Sequence, residues 1–204
     1  MPRISEATRE SRRRHVMESA WRCFSRNGFH STTMDEIIAE TGMSSSSVYR
    51  YFASKDELID AAAEESLSIA AQVLGELTQR TPVPGPRATL AALVDGLQRQ
   101  QGAPGYDLTK IAISAWGEAL RRPQMHAQAY RFYSETHSAL MELAQRWRKE
   151  RIIAASADPA TVADLLVTIM PGMLVMNHLY ELADADSLAD GMELFATADR
   201  SDAR

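Results

Sequence analysis

Two short capped helices, joined by a tight turn, are encoded near the start of the chain. Thr33 is followed three residues later by Glu36, a spacing in which hydroxyl and carboxylate each satisfy a free backbone N–H at a helix start. Gly42 tolerates the positive φ that ends this first helix, because it lacks a Cβ. Ser44 fits the cap of the second helix, which turns Val48 inward and is barely two turns long.

A longer helical pattern precedes this pair. Val16, Ala20 and Phe24 recur at four-residue spacing within residues 8–27, and Asn27-Gly28 ends the pattern. Capping motifs alone would fit the short helices of any α-helical protein, so they leave that alternative open. The preceding helix favours a helix-turn-helix unit, in which a third helix packs against the pair and the second short helix enters the major groove of DNA.

Charge is divided unevenly along the chain. The net charge is −5, but residues 1–55 carry nine Lys and Arg against six Asp and Glu, and the remaining 149 residues carry 13 against 21. A basic end on an acidic body is what binding to phosphates at one end requires. The run Arg12-Arg13-Arg14 fits either a solvated helix face or contacts to phosphates at the edge of the DNA.

A consecutive series of short motifs covers the region from about Arg9 to Leu58. It consists of Phe24 with Gly28, Thr32-Thr33, Ile38-Ala39, Gly42-Met43-Ser44, Val48-Tyr49, Tyr51-Phe52 and Ser54-Lys55. In this order the motifs resemble the DNA-binding domain of the tetracycline-repressor (TetR) family of bacterial transcriptional regulators. The resemblance implies about nine helices: three for DNA, one connecting helix, and five more in a body that binds a ligand and dimerises.

The resemblance also implies that residues 44–51 of each subunit enter successive major grooves of double-stranded operator DNA. The DNA-binding residues expected from it are Thr33, Ser44, Ser45, Ser46, Tyr49, Arg50, Tyr51 and Lys55. Among them Ser46 and Arg50 are the candidate base readers, although Arg50 is equally suited to a phosphate contact. Family members often carry Lys-Gly after the capping serine, where this chain has Ser45-Ser46, so the electrostatic contribution to binding is expected to be smaller.

The rest of the sequence stays helical, without a strand pattern, a Gly-rich phosphate loop or an internal repeat. Helical segments are predicted over residues 56–79, 87–101, 106–120, 123–150, 159–182 and 187–198. The predicted fold class is therefore all-α, with a three-helix helix-turn-helix domain over residues 1–55 joined to an effector-binding and dimerisation domain over 56–204. The resemblance implies a homodimer formed through the helices near 159–182 and 187–198. Pro171 is expected to bend the first of these.

A small-molecule effector is the ligand that the resemblance implies for this body. The candidate pocket residues combine aromatic or thioether surface with a few polar groups: Tyr106, Trp116, Tyr133, His137, Met141, Met173 and Asn177. Aromatic and methionine residues at helical spacing are more often core than pocket, and the histidines also fit structural roles. Glu118 is expected to be exposed, because it lies close to a predicted helix end.

Other classes of function lack their motifs. The sequence contains no Gly-x-Ser-x-Gly, His-Glu-x-x-His or phosphate loop and no metal-ligand spacing, so neither an enzyme, a cofactor nor a metal is expected. The single cysteine, Cys23, suits a reducing cytoplasm, and no uninterrupted apolar run of about 18 residues indicates a membrane segment. The sequence therefore predicts a cytoplasmic, ligand-responsive transcriptional regulator, most simply a repressor that an effector releases from its operator. A helical DNA-organising or adaptor protein without an effector is the alternative.

Overall fold

The computed structural model describes residues 5–101 and 105–180, together with positions 187 and 190. Eight helices and no strand occur in this part of the chain: α1 (Glu6–Ser31), α2 (Met34–Thr41), α3 (Ser45–Tyr49), α4 (Lys55–Thr78), α5 (Pro86–Gln101), α6 (Leu108–Ala119), α7 (Pro123–Lys149) and α8 (Pro159–Tyr180). The all-α fold class is confirmed, and the count is close to the nine helices predicted. The predicted last helix, over 187–198, lies outside the described residues except at Ser187 and Asp190.

Most helix ends fall within two residues of their predicted positions, because local signals in the sequence set them. Pro86, Pro123 and Pro159 each occupy the first position of a helix, where no backbone N–H is needed and φ is already suitable. The α6 helix begins two residues later than predicted. Its cap is Asp107, whose carboxylate accepts a hydrogen bond from the Thr109 N–H at 2.9 Å.

Gly28 interrupts α1 at the point where the sequence predicts its end. Its φ of 74° and ψ of 171° are not helical, and the residues after it form one short turn up to Ser31. The Thr32 hydroxyl donates to the Gly28 carbonyl at 2.8 Å. Because Thr32 is fully buried, this bond fixes the direction in which the chain leaves α1 toward α2.

The described chain packs into two compact units. The first consists of the residues up to Ile69 together with Arg99–Tyr130, and the second of Ala70–Gln98 together with the residues from Arg131 onward. Each unit has its own apolar core. These packing units are not the functional domains predicted from the sequence, whose boundary after residue 55 stays a prediction.

The core of the first unit is built around α1. Val16, Ala20 and Phe24 are at most 2% exposed, as their four-residue spacing predicts. Ile37 of α2 and Val48 of α3 are fully buried in the same cluster. The helix predicted to support the two short helices therefore does so through its apolar stripe.

In the second unit, side chains of α7 hold the end of α4 and the segment just before α5. The buried Trp147 donates from Nε1 to the Pro84 carbonyl at 2.6 Å, just before α5. Arg146 Nη1 donates to the Thr78 carbonyl, also at 2.6 Å, at the end of α4. The α4 and α5 helices approach closely, because a Cβ added at Gly96 would lie 2.7 Å from Cγ1 of Val73.

The α8 helix is apolar but largely exposed. It runs without interruption through Pro171, so the bend expected there does not break it. By length and composition alone it is the single helix of the described residues that could cross a membrane, and 28% of that stretch is buried. Core helices of soluble proteins pass the same test, so α8 by itself does not indicate a membrane protein.

Candidate nucleic-acid interface

The α2 helix is capped at both ends as the sequence predicts. The Glu36 N–H donates to the Thr33 hydroxyl at 3.2 Å, and the Thr33 N–H donates to the Glu36 carboxylate at 2.7 Å. Gly42 ends the helix with φ 65° and ψ 10°, and its N–H donates to the Ala39 carbonyl at 3.2 Å. These bonds define where the chain turns toward α3.

Ser44 is the capping residue of α3, but only its backbone performs this role. Its carbonyl accepts from the N–H groups of Ser47 at 2.9 Å and Val48 at 3.1 Å. Its hydroxyl makes no capping bond and instead donates to the Ser47 hydroxyl at 2.8 Å. The position predicted for the cap is therefore right. The hydroxyl, however, bonds to the nearby Ser47 side chain instead of to a backbone N–H of the helix.

The α3 helix presents a polar face opposite a single buried anchor. Val48 is fully buried, whereas Ser45, Ser46, Tyr49 and Arg50 are exposed, Tyr49 by 47%. The structure thus brings these four predicted DNA-binding residues together on one accessible surface. Two other predicted residues differ in exposure, since Thr33 is exposed at the start of α2 and Tyr51 packs partly against the core.

Two arginines of α1 hold α2 through one carboxylate. Arg22 Nε lies 2.7 Å from one oxygen of Glu40, and Arg26 Nη2 lies 2.8 Å from the other. Hydrogen bonds from Arg26 and Arg22 hold the pKa of Glu40 below its ordinary value. This cluster was not predicted from the sequence. The available signal was the four-residue spacing of the two arginines, which puts both on one face of α1.

Two further contacts from α1 lie on either side of α3. His15 Nε2 is 2.9 Å from the Thr41 carbonyl, at the turn that precedes α3. The Arg13 guanidinium carbon lies 4.9 Å from the centroid of the Phe52 ring, which follows α3. The first half of α1 is therefore fixed at the residues that precede and follow α3.

Lys55, predicted as a DNA contact, is bound to backbone carbonyls of the same unit. Its Nζ donates to the carbonyl of Phe29 at 3.0 Å and to that of Thr32 at 2.9 Å, and a third carbonyl, of His30, lies at 3.5 Å. The ammonium group thus ties the first turn of α4 to the segment between α1 and α2. Its predicted DNA contact stays a prediction.

The α6 helix is attached to α1 by polar and aromatic contacts within the first unit. The Asp107 N–H donates to the Ser25 hydroxyl at 2.9 Å. Tyr106, a candidate effector residue, packs edge-on against Trp21 with ring centroids 5.2 Å apart, and burial raises the pKa of its hydroxyl. This contact gives Tyr106 a structural role at the start of α6.

Glu118 is buried, so the expectation that it is exposed is wrong. It is 8% exposed, and its carboxylate lies 2.7 Å from Arg121 Nη2 and 3.1 Å from His30 Nε2. The hydrogen bond from Arg121 is the main reason why the pKa of Glu118 is lowered. Proximity to a helix end predicted exposure, but this carboxylate is paired with Arg121, three residues further on, and with His30 of α1.

A small apolar pocket lies beside Trp116, another candidate effector residue. Its lining comes from α4, α6 and α7: Ala63, Ser66, Leu67, Ala112, Ala115, Trp116, Ala119, Met125, Gln128 and Ala129. The volume of about 20 Å³ is room for roughly one water molecule. In this state the pocket is therefore too small for an organic effector.

The other five candidate effector residues belong to the second unit. Tyr133 packs edge-on against the Phe132 ring, and His137 Nε2 lies 3.1 Å from an oxygen of Asp164, which favours the structural role considered for this histidine. Met141 and Asn177 are half-buried, and Met173 is 8% exposed. Their predicted effector contacts stay predictions.

The titratable groups of the first unit do not form a metal site among the residues that the structure describes, where no group of three or more His, Cys, Asp and Glu side chains could hold a metal ion. Cys23 is buried, and this burial raises the pKa of its thiol. A thiol with a raised pKa and little exposure is a poor nucleophile.

Comparisons with known proteins converge on the same segment. Residues 16–62 match the family described as bacterial regulatory proteins, tetR family. YfiR of Bacillus subtilis strain 168, an uncharacterised HTH-type transcriptional regulator, is 25% identical over 198 residues, which cover 95% of this chain and 94% of that protein. UidR, an HTH-type transcriptional regulator of Escherichia coli K12, is 27% identical over 184 residues and 88% of each chain.

The fold is likewise shared with a solved structure. A transcriptional regulator from Saccharomonospora viridis, in complex with choline, has a TM-score of 0.74 over 91% of this chain and 95% of that one, at 19% sequence identity. The family match covers the second half of α1, all of α2 and α3, and the first turns of α4. These are the elements that build the exposed polar face of α3. The chain therefore carries a helix-turn-helix DNA-binding domain of the TetR family of bacterial regulatory proteins, and over most of its length it is similar to transcriptional regulators.

Proposed function

We propose that this protein is a sequence-specific repressor that a small-molecule effector releases from its operator. The observation that supports it most directly is the construction of α3, a short helix with one buried anchor, Val48, and an exposed polar face. The helix is held by capped and ion-paired neighbours, so it is positioned before DNA arrives. Such preorganisation reduces the ordering cost of binding.

The DNA contacts divide into positioning and reading residues. Thr33, Ser45, Tyr49, Tyr51 and Lys55 are proposed to contact the DNA backbone, and Ser44 to set the start of α3. Ser46 and Arg50 are proposed to reach the base edges. Arginine pairs best with guanine, whose O6 and N7 accept two parallel hydrogen bonds. The functional division proposed is a DNA-binding domain over residues 1–55 and an effector-binding and dimerisation domain over 56–204.

A homodimer is proposed to form through α8, together with the segment near 187–198. Exposed residues recur along α8 at three- and four-residue spacing and form one stripe: Leu165, Thr168, Gly172, Met176 and Leu179. Small residues lie in the middle of this stripe, and a Cβ at Gly172 would meet nothing within 4 Å. Apolar side chains around a small centre suit close packing against a second copy of the same helix. Two-fold symmetry would then present two α3 helices to two half-sites.

Charge substitution on this stripe tests the dimer. Leu179→Glu is expected to yield a folded monomer, because Leu179 is 75% exposed in one chain and would be buried in the dimer. Leu120→Glu is the matched control, since Leu120 is 85% exposed but lies outside α8. Molar mass from light scattering and helicity from circular dichroism should be measured for both. A dimeric Leu179→Glu variant, or a monomeric Leu120→Glu variant, would contradict this interface.

The effector is proposed to enter through the pocket beside Trp116 and to enlarge it. Two of the walls are α4 and α6, and α4 begins at Lys55, close after α3. The lining carries eight apolar residues, one serine and one glutamine, which suits a neutral, largely apolar ligand. The choline complex of the Saccharomonospora viridis regulator supports a small-molecule ligand for this fold. Only a ligand that binds the two states of the dimer with different affinity would release DNA.

Filling the pocket separates the effector role from DNA binding. Ala112→Phe is expected to retain operator binding and to lose release by an effector found with the wild type. Ala127→Phe, an equal increase in volume at an exposed position of α7, should respond normally. If the same effector concentration releases both variants from the operator, the effector binds at another site.

Titration against DNA tests the proposed function as a whole. The purified protein is titrated with the DNA upstream of its own gene at two salt concentrations, with unrelated DNA as competitor. Binding that survives competitor identifies a sequence-specific regulator, because phosphate contacts alone do not distinguish sequences. If a selection from random sequences also yields no preferred site, the DNA-organising or adaptor alternative replaces the proposal.

A further inference from the structure

The α1 helix starts well before the segment that defines the family. It begins at Glu6, capped by the Ser5 hydroxyl, ten residues ahead of the family match at Val16. These additional turns carry four arginines and two glutamates: Arg9, Arg12, Arg13, Arg14, Glu6 and Glu10. The extension is therefore a rigid, net positive element attached directly to the helix-turn-helix.

Within the described part of the chain, none of these four arginines forms an ion pair of the kind that arginines elsewhere in the first unit form. Arg22, Arg26 and Arg122 each lie within 2.9 Å of a carboxylate oxygen. Arg9 and Arg12 are exposed, and within the described part of the chain no carboxylate lies within 4 Å of either guanidinium. Their charges are thus available to an external partner.

The rotation of α1 is fixed by the two contacts that flank α3. Arg13 faces Phe52 after α3, and His15 faces Thr41 before it. A helix turns by about 100° per residue, so from Arg13 the angular positions are about −40° for Arg9, about −100° for Arg12 and about −160° for His15. Both exposed arginines therefore lie on the arc between the two contacts, which is the side of α1 that faces the helix-turn-helix.

The neighbouring Arg14 points to the other side of the helix. Its angular position is about +100° from Arg13, outside that arc. Its charge acts on the hydroxyl of Tyr106, which precedes α6. The buried Val16, at about −60°, confirms the direction of the arc, since it lies in the core shared with α2 and α3.

We propose that Arg9 and Arg12 form a second phosphate-binding surface, which binds the DNA backbone bordering the groove that α3 enters. This inference rests on the proposed DNA binding by α3. Arg9 lies one turn, about 6 Å, beyond Arg13, so the surface extends past the end of α3. Guanidinium groups bind phosphate oxygens through paired hydrogen bonds, and two of them compensate for the uncharged Ser45-Ser46 pair of α3.

The salt dependence of DNA binding tests this surface. The variant R9Q/R12Q removes four positive charges from a dimer, and R14Q/K110Q removes the same number from exposed positions outside the arc. The slope of log K against log salt is expected to fall in magnitude by up to about 3.6 in R9Q/R12Q, at about 0.9 for each phosphate contact. It should be nearly unchanged in R14Q/K110Q. Thermal unfolding of both variants verifies that the fold is retained.

The outcomes separate this surface from the proposed function. Equal slopes for R9Q/R12Q and wild type, or equal reductions in both variants, would overturn the assignment, because the effect would then be absent or due to overall charge. If the wild type binds DNA without discriminating sequences, but its slope falls only in R9Q/R12Q, this surface stands and sequence-specific regulation does not. If the slope falls only in R9Q/R12Q and the protein still prefers its operator, the result supports both this surface and the proposed function.

Discussion

Replacement of Lys55 by methionine tests whether this residue holds the DNA-binding domain together. The ammonium group donates to the carbonyls of Phe29 and Thr32 at 3.0 and 2.9 Å. Phe29 is 3% exposed and Thr32 is fully buried, so water replaces the lost donor poorly. Methionine retains much of the apolar stem but cannot donate. Lys55→Met should therefore leave two poorly hydrated acceptors in the segment that leads into α2.

The size of the effect follows from these two bonds. A buried acceptor that loses its partner costs about 1–3 kcal/mol, and Lys55 itself is half-buried, which favours the lower end. The expected loss of stability is about 2 kcal/mol. For a chain of this length that corresponds to a decrease of roughly 4–8 °C in Tm. Operator affinity should also fall, because α2 and α3 would be less firmly positioned.

Calorimetry and a salt titration distinguish this role from a direct DNA contact. Lys110→Met is the matched control, since Lys110 is an exposed lysine of α6 in the same unit. Its Tm should remain within about 1 °C of the wild type. A purely DNA-contacting Lys55 would instead leave Tm unchanged and reduce the salt slope by about 1.8 per dimer. That result would refute the structural role assigned here.

Three further changes probe the same fold. Tyr49→Ala should weaken operator binding by roughly 30-fold, because each subunit of the dimer loses about 1 kcal/mol of binding free energy. Its Tm in calorimetry should stay unchanged. An affinity equal to that of the wild type would count against the placement of α3. The pKa of Glu40 is lowered in the folded protein. The stability that Glu40 contributes is therefore present above its unfolded pKa of about 4.3 and is lost as pH falls through the folded value. In acid denaturation, the free energy of unfolding of Glu40→Gln should therefore depend less on pH over this range. Gly96→Ala should lower the free energy of unfolding in urea by about 1–2 kcal/mol despite the better helix propensity of alanine, because its Cβ would lie 2.7 Å from Cγ1 of Val73. Val73→Ala should relieve this clash, so additive effects of the two changes in a double-mutant cycle would contradict the close approach.

Local signals explain why much of the candidate site is predictable from the chain. The Thr33 and Glu36 capping box, the positive φ of Gly42 and the inward Val48 each depend on residues within four positions of one another. Such interactions form whenever the local backbone is helical, so their residue spacing is visible in the sequence. The interruption of α1 at Gly28 is predictable from the sequence for the same reason.

Side-chain partners of the candidate site are less accessible to such reasoning. Ser44 has the predicted position, yet its hydroxyl bonds to another serine because several acceptors compete within one turn. Glu118 was expected to be exposed, but Arg121 and His30 bury and pair it. At both residues more than one partner lies within reach, and spacing along the helix does not decide between a local partner and a distant one such as His30.

The sequence by itself determined the described helices to within about two residues, both caps of α2 and the apolar stripe that supports α3, because these follow from the properties of residues three or four positions apart. Only the tertiary structure decided what the charged residues do. Arg22 reaches Glu40 across 18 residues, and Lys55 reaches Thr32 across 23. Whether a cation pairs inside the fold, as these do, or stays exposed, as Arg9 does, depends on the distances that packing creates. Those distances are a property of the assembled core, and no local pattern encodes them.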